Sequence, residues 1–360
     1  MESVLILGGY GNFGKRIAHM LAVKGIPVII AGRDRQKAEV LANELPGAQA
    51  VAFDVNQELD AQLEALKPLI VINTCGPFQT SDYRIAETCI EKGVHYIDLA
   101  DGRAFVTGIT VLEARAKEKG VTVISGASTV PGLSSAVLEH YKNEFSEIES
   151  LRFGISPGQR VERGLATTKA IMTYVGKKLK PFPSAHRTVY GWQNLYRQEY
   201  PELGKRWMAN CDVPDLDLLP QRYGIKNIQF SAGMENTFVH LGIWLFSWAV
   251  RLGLPLNLPH HAGALLRASH WFDAFGTADG GMHMIMRGKD RQGKPHERKW
   301  FLIAKDGHGP NIPCIAAVIL TKKLVSGQKL ENGAMPCLGL FTLEEFMAEL
   351  EGLSIHQVVL

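Results

Sequence analysis

Several functional classes are excluded by what this chain lacks. Its five cysteines (Cys75, Cys89, Cys211, Cys314 and Cys337) are odd in number and form no CxxC pair. Neither a disulfide framework nor a zinc site is therefore expected, and a reducing cytoplasm is the setting that fits. The 39 basic and 36 acidic side chains leave a net charge of only +3, too small to argue for nucleic acid as a partner. The small basic cluster Gly176-Lys177-Lys178-Leu179-Lys180 reads first as a solvated helix end. There is no internal repeat and no low-complexity tract. The apolar stretch Thr237 to Val250 stops at Arg251, short of the roughly 20 residues that cross a bilayer. The sequence opens directly on an apolar run that reads as a first strand, so no leader peptide is expected.

What is present is concentrated at the start. Val4-Leu5-Ile6-Leu7 leads into Gly8-Gly9-Tyr10-Gly11-Asn12-Phe13-Gly14 and then into Lys15-Arg16-Ile17-Ala18-His19-Met20-Leu21. This is the order strand, glycine turn, helix. Gly9 is suited to the tight turn, Gly11 to close approach of a pyrophosphate, and Gly14 to close packing of helix on sheet, with Tyr10, Asn12 and Phe13 between them. A dinucleotide site is expected, against the alternative of a structural glycine turn.

The second strand, Pro27 to Ala31, decides which dinucleotide. An NAD site places an acid near its end to bond the ribose hydroxyls. Here Gly32-Arg33-Asp34-Arg35 follows, so Arg33 stands where a guanidinium clamps a 2′-phosphate, and NADP is favoured over NAD. A shift of one residue would instead put Asp34 on the ribose. Further apolar runs, Gln49–Asp54, Leu69–Asn73, His95–Asp98 and Val121–Ser125, alternate with amphipathic stretches. The fold class is therefore α/β: an N-terminal Rossmann-type doubly wound parallel sheet with a second, α+β domain. Asp54 and Val55 close the third strand, where they could face the adenine or where Asp54 could be a plain helix cap. Thr74-Cys75-Gly76-Pro77 follows the fourth strand beside the expected switch point and is the candidate nicotinamide-side loop.

These segments resemble the saccharopine dehydrogenase-like oxidoreductases, whose NADP-binding domain carries a similar GGYGxxG start and an Ala-Gly-Arg after strand two. Ile72 to Phe78 looks like that family's Asn-x-x-Gly-Pro-Phe loop, His95 to Gly102 like its Tyr-x-Asp segment, and Gly126 to Gly132 like its glycine-to-proline turn. The resemblance covers about residues 1–145 and thins beyond, returning at Asp306–Gly309 and Gly333–Cys337. It implies a nicotinamide-dependent oxidoreductase. Many members carry Asp or Asn between the glycine and proline of the last turn, where this chain has Ser128 and Thr129, so the substrate need not be saccharopine.

For a proton donor the sequence offers Cys75, Tyr83, Asp98, Asp101, Ser128 and Thr129, each with a duller reading as core residue or cap, and His308 in a later turn. Arg160, Arg163, Lys169 and Arg187 are the clustered cations that a polar amino-acid substrate would need. The expected domains are 1–145 for the dinucleotide, 146–310 for substrate and dimerisation, and 311–360 returning to the first. Met282–Arg287 and Arg298–Ile303 should form a hairpin, Ile312 onward a helix, Thr342-Leu343-Glu344-Glu345 a capping box, and Ser354–Leu360 an edge strand. The expected activity is reduction or oxidation of a small carbonyl, imine or enoyl substrate held between the domains. The alternatives are an NADP-binding sensor without turnover, or a lipid-directed reductase using 238–250. A homodimer is expected, and membrane association is the less favoured partner reading.

Overall fold

The computed structural model describes residues 3–182, 188–328 and 330–360, so the candidate cation Arg187 lies outside the described residues. The chain forms two compact units, one of residues up to 136 with 311–349, the other of 137–310 with 350–360. The first contains β1 (Val4–Leu7), β2 (Val28–Gly32), β3 (Gln49–Ala52), β4 (Ile70–Asn73), β5 (His95–Asp98) and β6 (Thr122–Ser125). The second contains β7 (Phe145–Ser156), β8 (Tyr196–Tyr200), β9 (Gly204–Asn210), β10 (Asn227–Met234), β11 (Gly280–Asp290) and β12 (Pro295–Ala304). The chain then gives β13 (Gly333–Pro336) to the first unit and β14 (Ile355–Val359) to the second.

The first sheet is parallel throughout, in the order β13-β6-β5-β4-β1-β2-β3. β1, β4 and β6 are buried along their whole length, as a sheet covered on both faces requires. The strand order reverses at β1, with β2 on one side and β4 on the other, so the loops that leave β1 and β4 are neighbours. The helix Ile312–Val325 returns to this unit almost wholly buried and packs on the helix Gly14–Val23; the Cys314 thiol lies 3.6 Å from the Phe13 carbonyl oxygen.

The second sheet runs β14-β12-β11-β7-β10-β9-β8 and is antiparallel except between β7 and β10. The β11–β12 hairpin contains the predicted pair of strands and turns at Asp290, whose Oδ1 accepts from the Gln292 and Lys294 amides, each at 2.8 Å. The sheet curls until its edges meet: Glu202, just past β8, bonds His356 on β14 at 2.8 Å, and Tyr200 on β8 bonds His283 on β11 at 2.8 Å. Outside it, the helices Leu165–Met172, Thr237–Arg251 and Ala262–Ser269 share a core of Met172, Val175, Trp192, Ala209, Ile243 and Leu258.

Two boundaries differ from the sequence reading. The units divide near residue 136, inside the helix Ser134–Tyr141, rather than near 145, because the last turn of that helix and β7 form one run with the second unit. The segment 311–360 does not return as a piece: its last strand pairs with β12, where Leu302 opposite Gln357 continues the second sheet. Among the described residues no helix is long and apolar enough to cross a membrane.

Candidate cofactor site

The glycine turn is shaped by three close approaches. Gly8 takes a φ of +72°, the left-handed conformation that L side chains avoid, so the reversal falls one residue before the expected Gly9. A Cβ on Gly9 would meet the Ile6 carbonyl oxygen at 2.9 Å, and one on Gly14 would meet that of Gly8 at 2.3 Å. Gly14 thus lets the helix start against the strand end. A Cβ on Gly11 would meet only the Gly8 oxygen, at 3.0 Å, so this glycine faces open space. The helix Gly14–Val23 has no side-chain cap at Phe13 and no acid in its first turn, so no carboxylate competes with an anion at its positive end, although the Lys15 amide already donates to the Gly11 carbonyl at 3.0 Å. The Arg16 guanidinium bonds both oxygens of Asn12 and fixes the turn from beneath.

At the end of β2 the two rival residues separate. Asp34 caps the helix Arg35–Glu44: its carboxylate accepts from the Lys37 amide at 3.1 Å, and that bond holds its carboxyl below the usual range. Its own amide donates to the Tyr10 hydroxyl at 3.0 Å. Arg33 is exposed and has no hydrogen bond or ion pair among the described residues. Tyr10 lies across Gly32, where a Cβ would come within 2.3 Å of its ring, so Tyr10 and Gly32 form one contact that presents Arg33. Asp54 is likewise a cap, accepting from the Asn56 amide at 3.0 Å, with Val55 half-buried as the first residue of its helix, Val55–Leu66.

The loop after β4 is tied to the glycine turn. Thr74 Oγ1 donates to the Leu7 carbonyl at 2.8 Å, and the Cys75 amide to Asn73 Oδ1 at 3.0 Å. Gly76 and Pro77 carry the chain on into the short turn Phe78–Thr80. Burial pushes the Cys75 thiol up to about 11, with Arg33 opposing, so it is protonated at neutral pH. Asp98, at the end of β5, is fully buried; its Oδ1 accepts from Ser125 Oγ at 2.9 Å and from the Gly126 and Ala100 amides at 2.8 and 2.9 Å. Burial still raises it to about 6 against those three donors. Asp98 therefore ties the loops after β5 and β6 together. Tyr83 donates its hydroxyl to the Phe105 carbonyl at 2.7 Å, and burial raises its phenol. Ser128 opens the turn into the helix Ser134–Tyr141 and makes no side-chain hydrogen bond among the described residues.

The profile of the saccharopine dehydrogenase NADP binding domain matches residues 4–124. The fold matches an apo histidine-tagged saccharopine dehydrogenase (L-Glu forming) from Saccharomyces cerevisiae at a TM-score of 0.69 and 14% identity, over 100% of both chains. Residues 4–124 are thus similar to that NADP binding domain, and the chain has the fold of saccharopine dehydrogenase. An amine dehydrogenase from Mycobacterium smegmatis superposes at a TM-score of 0.47 and 14% identity, over 94% of this chain and 95% of that one. No curated protein matches. The matched domain supports an NADP-dependent oxidoreductase.

The structure thus groups Gly9, Gly11, Gly14, Arg33, Thr74 and Cys75 around the switch point and gives Tyr83 and Asp98 partners of their own. The sequence reading missed Gln79, whose amide donates to Asp101 at 3.0 Å and joins the β4 and β5 loops. Their separation of 22 residues carries no local pattern. His308 and the cations Arg160 and Arg163 lie in the second unit: His308 accepts from the Ser354 amide at 2.8 Å, Arg163 pairs with Asp273 at 2.5 Å, and Arg160 donates to the Asp273 carbonyl at 2.8 Å. These cations serve local structure and do not form an open cluster with Lys169.

Proposed function

We propose that the protein is an NADP-dependent oxidoreductase acting on a small carbonyl, imine or activated-alkene substrate at the carboxyl ends of β4, β5 and β6. The observation that carries the cofactor half is Arg33: an exposed guanidinium without a partner among the described residues, at the end of β2, beside an Asp34 already spent on its helix. A guanidinium so placed suits the additional phosphate of NADP. The uncapped helix N-terminus behind Gly11 and Gly14 suits the pyrophosphate, and Thr74 with Cys75 would border the nicotinamide side. When bound, the cofactor supplies or accepts hydride. The chain has to hold it, orient it and move one proton. Of the four proposed donors, Tyr83 and Asp98 are engaged with the main chain and Ser125, whereas Cys75 and Ser128 keep uncommitted hydrogens, and these two are the proton-transfer candidates.

The test is a calorimetric titration with NADPH and NADH of the native chain and of Arg33→Ala. A hydrogen bond to a charged group is worth about 1.5–3 kcal/mol, so NADPH affinity should fall roughly ten- to a hundredfold in the variant while NADH changes little. Equal losses for both cofactors would remove Arg33 from the site, and no binding of either would overturn the oxidoreductase reading.

A further inference from the structure

The helix Thr237–Arg251 is built inside out. Its buried residues are His240, Ile243 and Ser247, two of them polar, whereas Phe238 and Leu245 on its solvent side are 75% and 61% exposed and Phe246 and Trp248 are exposed beside them. A soluble amphipathic helix does the reverse. The apolar surface continues through Leu252, Leu254 and Leu256 and reappears in the turn after the helix Ala262–Ser269, where Trp271 is 81% and Phe275 78% exposed. These segments belong to the layer of helices on the outer side of the second sheet, held there by the common core around Ile243, Leu258 and Ala262.

The charge of this surface is one-sided. From Thr237 to Phe272 there is no Asp or Glu, while Arg251, Arg267, His260 and His261 are exposed. Gly176, whose Cβ would lie 2.3 Å from the Ser247 carbonyl oxygen, brings the basic segment against the end of the helix. Lys177, Lys178 and Arg267 have no acidic partner among the described residues. Arg251 is stacked over Tyr190 at 4.1 Å and Trp248 at 4.9 Å and bonds Gln193 at 2.6 Å, again without a carboxylate. The basic cluster that reads as a solvated helix end thus borders this apolar helix.

We propose that this layer is a membrane-docking face that lays Phe238, Leu245, Trp248 and Trp271 into the interface of an anionic bilayer, with Lys177, Lys178 and Arg267 over the lipid headgroups. The one acid of this turn, Asp273 between Trp271 and Phe275, is paired with Arg163, and exposed aromatic and leucine side chains flanked by cations are the composition that binds in the plane of such an interface. A second copy of the chain would bring the same cations against themselves, which is unfavourable because the acid of the turn, Asp273, is already paired with Arg163. The 15-residue helix is too short to span, so the face lies on the membrane rather than in it.

The full chain, the apolar variant Phe238→Gln/Leu245→Gln/Trp271→Gln and the charge variant Lys177→Gln/Lys178→Gln/Arg267→Gln should be sedimented with vesicles of phosphatidylcholine alone and of phosphatidylcholine with phosphatidylglycerol. All six positions are exposed, and an unchanged thermal unfolding midpoint confirms that each variant is folded. Expected is binding to the anionic vesicles only, abolished in the apolar variant and reduced about fivefold per cation removed in the charge variant. An apolar variant that binds as well as the native chain overturns the proposal. So does a native chain that stays in the supernatant, and if sedimentation velocity then shows a dimer that the apolar variant dissociates, the face belongs to a second copy.

Discussion

Asp98 shows how a residue chosen for chemistry becomes one that organises structure. In the fold its carboxyl is raised from the ordinary 3.8 to about 6 by burial. The folded chain therefore holds this proton to about pH 6 while the unfolded chain releases it near 4. Stability present below about pH 4 is lost as pH rises toward 6, and the full loss is about 3 kcal/mol. Asn in its place keeps an oxygen for Ser125, Gly126 and Ala100 and removes the titration. Urea unfolding of the native chain and Asp98→Asn at pH 4, 5 and 7 should show the native chain losing stability relative to the variant by about that amount; a difference independent of pH would refute the raised carboxyl. The sequence marked Asp98, Tyr83, Asp54 and Asp34 as polar residues at strand or helix ends, and it was right about their positions. Whether each faces a ligand or a neighbouring main chain depends on partners up to 28 residues away, as for Asp98 and Gly126, and no local pattern encodes that. The sequence left Arg33 and Asp34 as alternatives; the structure makes Asp34 a helix cap and leaves Arg33 exposed.

Among elements, legibility follows how local the determining contacts are. The capping box is self-contained: Thr342 Oγ1 accepts from the Glu345 amide at 3.1 Å, and the Glu345 carboxylate accepts from the Thr342 amide at 2.8 Å. Thr342→Ala should cost about 1 kcal/mol in denaturant unfolding, with little change in the denaturant dependence; no loss would mean the helix Leu343–Ala348 is held by Phe346 packing alone. The β11–β12 hairpin and the parallel strands were visible for the same reason, as short runs with their own turns. β8 was not, since Tyr196-Arg197-Gln198-Glu199-Tyr200 carries charge on its exposed residues and aromatic rings on the side that curls over β11. The helix Asp215–Tyr223 was hidden by Pro220 in its interior. The stretch Thr237 to Val250 was visible as an apolar run, but the direction of its apolar side was not: a sequence that is apolar nearly all round does not say which residues face inward. His240 faces inward with neither ring nitrogen bonded among the described residues, and burial lowers it to about 4.

At the scale of the molecule, the nucleotide unit is discontinuous, and this sets what can fold alone. Residues 1–145 carry every glycine and charge proposed for the cofactor, yet they lack β13, which completes the sheet edge beside β6, and the helix Ile312–Val325, buried from Cys314 to Thr321. Removing that helix uncovers apolar surface on the helix Gly14–Val23, the one that begins at the glycine turn. The returning segment is anchored at its far end too, where Glu349 pairs with Lys24 at 3.0 Å and with Lys322. Residues 1–145 expressed alone should therefore be aggregation-prone and bind no NADPH. A chain joining residues 1–136 to 311–349 through a Gly/Ser linker should unfold cooperatively and bind NADPH with an affinity close to that of the full chain, read by calorimetry. If residues 1–145 bind as tightly as the joined chain, the returning helix adds nothing to the site and the glycine turn is rigid by itself. If the joined chain folds and does not bind, residues of the second unit contribute to holding the cofactor.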